Sequence, residues 1–147
     1  MNAHLHYLDS SVVLAWILEG RSVLEPLSGQ AAVASSRLLW IEVSRAIHRA
    51  LQTNRVSPAF ATEARHNFER FAAGVGSIRL NDTVLRRAEG PFPLVTRTLD
   101  ALHLASAEAW LAATEPAAGP ETLALWTLDE RMNYCAAQLG FATPLLG

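Results

Sequence analysis

A chain of 147 residues, half of them hydrophobic and 18% charged, is long enough to bury one sizeable core, and that balance excludes intrinsic disorder. Net charge is −2 and the sequence pI about 6.2, so no global basic field points to nucleic acid, and any contact with phosphate must be local. All 12 basic residues are arginine, which removes the lysine-bearing phosphate loop, Schiff-base chemistry and the phospho-acceptor pocket that needs a lysine; G-x-G-x-x-G is missing too.

The predicted elements begin with "LHYLD" (5–9), a short strand leading into a helix from Ser10 or Ser11 to Glu19, with the serine pair as cap and Gly20 as its end. "AAVAS" (31–35) is a small-residue strand, and Ser35 or Ser36 caps a helix to about Gln52. Ser57 followed by Pro58 opens a third helix, to about Ala73. "GVGSIRLN" (74–81) reads as a strand, Asp82 caps a short helix to about Glu89, and "GPFP" breaks the chain. Thr98 or Asp100 opens a long helix to about Ala113, and "TEPAAGPE" (114–121) is the most loop-like segment. "TLALWTL" (122–128) is a strand, Asp129 to Leu139 a helix, and "FATPLL" (141–146) a terminal strand or tail. Strands alternating with helices predict an α/β domain with a mainly parallel sheet covered on both faces. The longest apolar run, the seven residues of "VVLAWIL", is too short to span a bilayer, and Asp9 interrupts the N-terminal apolar stretch. No membrane segment or signal peptide is therefore expected, and a cytoplasmic location is. The single cysteine, Cys135, excludes an intrachain disulfide and suits a reducing compartment as a small helix residue.

Asp9, Glu42, Asp100 and Asp129 stand apart from the other acids because each is set among apolar residues, in "LHYLDSSVVL", "LLWIEVSRAI", "TLDALHLA" and "LALWTLD". A plain structural role exists: an Asp at a helix start stabilises orphan N–H groups by up to about 1 kcal/mol. Placement argues for more. Asp9 and Asp129 lie where a strand ends and a helix begins, Asp100 opens a helix, and the side chain of Glu42 can point back toward its helix N-terminus. Ligands of open parallel sheets bind at that edge. Two carboxylates about 4 Å apart repel by roughly 4 kcal/mol at an effective dielectric near 20, so a converging quartet needs a cation. Oxygen donors without thiolates favour Mg²⁺ or Mn²⁺ over Zn²⁺, and the reaction class that follows is metal-assisted phosphodiester hydrolysis.

Other residues carry competing roles. His103, one turn beyond Asp100, is a packed or supporting histidine before it is a ligand, and a soft-metal site at His4 and His6 is the weaker reading of that pair. Ser10, Ser11 and Thr127 are candidates to hold metal-bound water, although capping explains the serines equally well. Arg37, Arg45 and Arg49 share one helix face, and Arg86 with Arg87 forms a second basic spot; each is a solvated face or a phosphate contact. Trp16, Trp40, Trp110 and Trp126 read as core or dimer contacts.

Four segments in order, "YLDSSVVLAWIL", "WIEVSRAI", "LDALHLASA" and "WTLDERMNYCAAQLGF", resemble the PIN-domain ribonucleases, most of all the VapC toxins of bacterial toxin–antitoxin pairs, over nearly the whole chain. The resemblance implies one PIN-like three-layer α/β/α domain over residues 1–147. It also implies that Asp9, Glu42, Asp100 and Asp129 form an acidic quartet binding Mg²⁺ or Mn²⁺, with Ser10 and Thr127 lining the same pocket. Cleavage of a tRNA or ribosomal RNA that slows translation, a homodimer, and a VapB antitoxin laying its C-terminal segment across the groove are implied with it. The mildly acidic toxin suits an antitoxin segment that brings arginine. Two departures stand out: "TEPAAGPE" resembles an insertion that leaves Asp129 the least anchored ligand, with Glu130 as substitute, and "DSS" replaces the commoner Asp-Thr-Ser. Two other functions stay open on sequence: an RNA-processing nuclease without an antitoxin, and a non-catalytic module that binds a cation or basic peptide. Replacing Asp9 or Asp100 by Ala is expected to abolish cleavage and to leave the fold intact or slightly more stable, through relief of repulsion.

Overall fold

The computed structural model describes residues 3–146. Four strands, β1 (Leu5–Leu8), β2 (Val33–Ser36), β3 (Gly76–Ile78) and β4 (Leu123–Trp126), form an all-parallel sheet in the order β3-β2-β1-β4. Helices α1 (Ser10–Glu19), α2 (Leu38–Gln52), α3 (Pro58–Ala72), α4 (Asp82–Ala88), α5 (Thr98–Thr114) and α6 (Glu130–Gln138) connect and cover them. Strands β1 and β4 are buried along their whole length, and successive residues feed opposite cores. Leu5, Tyr7, Leu123 and Leu125 pack with Leu104, Leu111 and Met132 under α5 and α6, whereas Leu8, Ala124 and Trp126 pack with Val12, Val43 and Phe68 under α1, α2 and α3. Both sheet faces are therefore dry, which is why β4 is apolar throughout and β1 is apolar apart from the buried His6.

The α/β architecture matches the sequence expectation, and several boundaries differ for local reasons. Asp9, not the serine pair, is the N-cap of α1, since Ser10 and Ser11 are already helical and Asp9 keeps an extended backbone. Asn81, not Asp82, caps α4 by accepting from the Val84 N–H at 3.0 Å. "FATPLL" contributes a bridge between Ala124 and Ala142 instead of a strand, and short 3-10 turns at Glu25–Leu27 and Pro120–Thr122 were not expected. Ser57 and Pro58 open α3 as read, with the Ser57 hydroxyl accepting from the Phe60 N–H. Cys135 is buried, and Trp126 is a core residue. Among the described residues no helix is long and apolar enough to cross a membrane.

Because all strands run the same way, the residues that follow them share one edge: Asp9 after β1, Ser36 at the end of β2, and Thr127 and Asp129 after β4. The "TEPAAGPE" segment lies at the other edge, running from the end of α5 to the start of β4, where the His4 N–H donates to the Thr122 carbonyl at 3.0 Å. Gly140 closes against it: its φ is +95°, and a Cβ there would stand 2.6 Å from Pro120 Cγ. This segment thus lies at the edge remote from Asp129.

Candidate active site

Asp9 leaves β1 with its N–H donated to the Trp126 carbonyl at 3.0 Å, which ties the end of β1 to the end of β4. Its Oδ2 accepts from the hydroxyls of Ser11 at 2.7 Å and Thr127 at 2.8 Å, and more weakly from the Ser11 N–H at 3.4 Å. Its Oδ1 faces His103 Nε2 at 3.7 Å. His103, fully buried on α5, donates from Nε2 to Glu42 Oε1 at 2.6 Å across the gap to α2. A nitrogen flanked by two carboxylates carries the hydrogen, so the neutral ring accepts at Nδ1 from the Tyr7 hydroxyl, 2.7 Å away. That hydroxyl in turn accepts the Ser36 N–H at 3.1 Å. Burial lowers the His103 pKa, but the hydrogen bond to Glu42 and the charges of Asp9, Glu42 and Asp100 outweigh it, leaving the value above that of an ordinary histidine. Burial holds the Tyr7 phenol far above its usual range, so it stays a neutral donor.

The second pair of acids is arranged differently. Asp100 occupies the first turn of α5 without capping it: the cap residue is Arg97, and the Asp100 carboxylate instead accepts from Arg97 Nε at 3.1 Å. The same guanidinium donates through Nη2 to Asp129 Oδ2 at 2.9 Å. Asp129 uses its other oxygen to cap α6, accepting from the Met132 N–H at 2.9 Å, and its own N–H donates to Thr127 Oγ1 at 3.1 Å. Burial raises the pKa of Asp100; Arg97 pulls it back, Asp9 and Asp129 push it up again, and the net shift is upward. Asp100 therefore feels the charges of Asp9 and Asp129 even with an arginine beside it.

All four sequence-derived acids thus stand in one neighbourhood, linked in two sets by His103 and Arg97. Among the described residues no group of three or more His, Cys, Asp or Glu side chains is placed, as the side chains stand, to hold a metal ion. The donor set nevertheless fits a hard cation. Its carboxylates supply only oxygen donors, and Mg²⁺ keeps most of its waters and asks for only one or two carboxylates.

Ser10 is buried and lines a groove of about 600 Å³ with Glu42, Ile41, Arg45, Arg49 and Leu99. Ser11 and Thr127 hold the Asp9 carboxylate. Glu130 is exposed on the first turn of α6, and Asp129, not Glu130, shares Arg97 with Asp100. His4 and His6 do not pair: His4 contacts Glu115, while His6 Nδ1 accepts from the Trp126 indole at 3.1 Å. Arg37 leaves the face of Arg45 and Arg49 to lie over the Trp40 ring at 5.3 Å. Arg86 and Arg87 are matched with Asp82 and Glu108, so that spot is neutralised internally. Tyr7, Ser36 and Arg97 join the site without having been sequence candidates. For Arg97 a signal existed, its position three residues before Asp100 at a helix start; for Tyr7 and Ser36 only strand pairing reveals it.

A parallel sheet with acids gathered at its carboxyl edge, between α2 and α5, defines a PIN-like α/β domain. A solved structure of VapBC2 from Rickettsia felis, bound to a DNA fragment from their promoter, shares the fold with a TM-score of 0.60 at 13% identity, over 89% of this chain and 92% of that one. No protein-family model matches the chain. Ribonuclease VapC46 of Mycobacterium tuberculosis (strain ATCC 25618 / H37Rv) is 34% identical over 136 residues, covering 92% of this chain and 93% of that protein. The chain belongs to the VapC ribonuclease family.

Proposed function

We propose that this protein is a VapC-type toxin, a ribonuclease neutralised by a VapB antitoxin, and that it cuts RNA with the help of Mg²⁺, for which Mn²⁺ can substitute. The observation that carries the site assignment is the meeting of Asp9, Glu42, Asp100 and Asp129 around His103 and Arg97 at the carboxyl edge of the sheet. Asp9, Asp100 and Asp129, with Glu42 beside them, would hold the cation. Bound there, it supplies Lewis acidity toward the scissile phosphate and an acidified water as nucleophile.

The chain's own groups prepare that chemistry. Ser11 and Thr127 fix the Asp9 carboxylate by donating to one oxygen, which leaves Oδ1 turned into the site. Tyr7 sets the tautomer and plane of the His103 ring, and His103 holds Glu42 in reach of Asp9, so His103 is a positioning residue. Ser10 and the Arg45 and Arg49 groove adjoin Glu42, offering the RNA backbone a basic wall next to an acidic centre. A tRNA or ribosomal RNA is the substrate class we assign, with arrest of translation as the outcome.

The test is cleavage of total cellular RNA by purified, antitoxin-free protein in Mg²⁺, Mn²⁺ or EDTA, with Asp100→Ala prepared identically. Discrete fragments that require the metal and vanish in the variant are expected. Equal patterns from both proteins, or cleavage indifferent to EDTA, would overturn the assignment.

A further inference from the structure

Arg97 bridges two of the four acids, and its situation is unusual for a structural ion pair. Its backbone is fixed, with its carbonyl accepting the Ala101 N–H at 2.8 Å as the cap residue of α5, yet its side chain is 73% exposed and makes no capping bond. Of the arginine ion pairs among the described residues, those of Arg97 are the ones made with the site acids; Arg21, Arg86 and Arg87 pair elsewhere. An exposed pair is held weakly, and a doubly charged ion outcompetes a singly charged guanidinium for the same carboxylates. A displaced Arg97 remains anchored at the mouth of the site with its planar donor fork unpaired, the geometry suited to the non-bridging oxygens of a phosphodiester.

We propose that Arg97 is a substrate-binding arginine held in reserve: it neutralises Asp100 and Asp129 while the cation is away, yields them when the cation binds, and then grips the RNA phosphate at the site. This rests on the ribonuclease reading above and adds a residue to it. One side chain then serves both states, sparing the empty site from carboxylate repulsion and furnishing the occupied one with a positive charge that the acids alone lack. It also couples the two ligands, because RNA that engages Arg97 frees the carboxylates for the cation, and the cation frees Arg97 for RNA.

The inference is tested with Mn²⁺ alone as probe, titrated by paramagnetic resonance into RNA-free wild type, Arg97→Gln and Arg97→Lys, followed by RNA cleavage kinetics at saturating Mn²⁺. Arg97→Gln should bind Mn²⁺ roughly threefold to tenfold more tightly, the scale on which exposed ion pairs compete. It should nevertheless lose on the order of 10- to 100-fold in kcat/KM for RNA, as expected when a charge-assisted phosphate contact is removed. Arg97→Lys should recover part of that loss. Unchanged or weaker Mn²⁺ binding by a folded Arg97→Gln overturns the reserve role, and unchanged kcat/KM overturns the phosphate role. If wild type neither binds Mn²⁺ nor cuts RNA, the ribonuclease reading fails and takes this inference with it; if wild type does both and Arg97→Gln matches it, the inference fails alone.

Discussion

The two halves of the acidic site are built from the same kind of side chain and differ in what surrounds it. Asp9 and Glu42 are joined to a buried relay of Ser11, Thr127, His103, Tyr7 and Ser36, in which donors and acceptors are matched across β1, β2, α2 and α5. Asp100 and Asp129 meet through Arg97, whose side chain is mostly in solvent. The first half is held by a buried hydrogen-bond network, and the second by a side chain that stands mostly in solvent. A cation site can use both: ligands held in place supply orientation, and the exchange proposed for Arg97 would let charge enter and leave.

Breaking the buried half should produce the largest effects. Asp9→Ala is expected to lower RNA cleavage by on the order of 10²–10³-fold or more. It should also cost about 2–3 kcal/mol of stability in denaturant titration, because α1 loses its cap and the buried Thr127 and Ser11 hydroxyls lose their acceptor. The cap at Asp9 overturns, for that residue, the expectation drawn from charge repulsion that its removal leaves the fold intact or slightly more stable; for Asp100, which caps nothing, that prediction is kept. His103→Ala should destabilise by about 2–4 kcal/mol through a cavity and an orphaned Tyr7 hydroxyl, and cleavage should fall as Glu42 loses its anchor. Tyr7→Phe keeps the packing and removes one oxygen, leaving the Ser36 N–H and His103 Nδ1 without it, at a cost of about 1–2 kcal/mol.

The half bridged by Arg97 should respond with the opposite sign. The pKa of Asp100 is raised on folding, mainly by burial, so the native state holds that proton more tightly than the unfolded chain. Metal-free stability is therefore present while Asp100 is protonated and is lost as pH rises past the ordinary carboxylate value to the raised one. Asp100→Asn does not titrate. Without metal it should match wild type in Tm near the acid end of the range and exceed it by about 1–2 °C at pH 7, which differential scanning calorimetry can resolve.

The acids and the residues that hold them differ in how far they could be read from sequence. Asp9 and Asp129 were visible because each ends an apolar strand and begins a helix, a pattern local to a few residues. Asp100 and Glu42 were visible as charges in apolar surroundings, and the parallel sheet supplied the reason they should meet. The partners were not visible: His103 reaches Glu42 over a separation of 61 residues and Tyr7 over 96, contacts that only the completed sheet and the docking of α5 create. The cap of α1, read as the serine pair, falls instead on Asp9, since all three are good caps and the end of β1 selects the one still extended. The doubt about Asp129 came from the length of "TEPAAGPE"; that segment sits at the far edge of the sheet, while Asp129 pairs with Arg97 beside Asp100.

The measurement that reaches the central claim most directly is the Tm of wild type and Asp100→Asn at pH 7 as Mg²⁺ is added. A ligand that binds only the native state raises Tm by mass action, so wild type should climb with Mg²⁺ concentration and overtake the variant, which should stay nearly flat. Parallel curves for the two proteins, rising or flat, would contradict the claim that these acids together form a cation site.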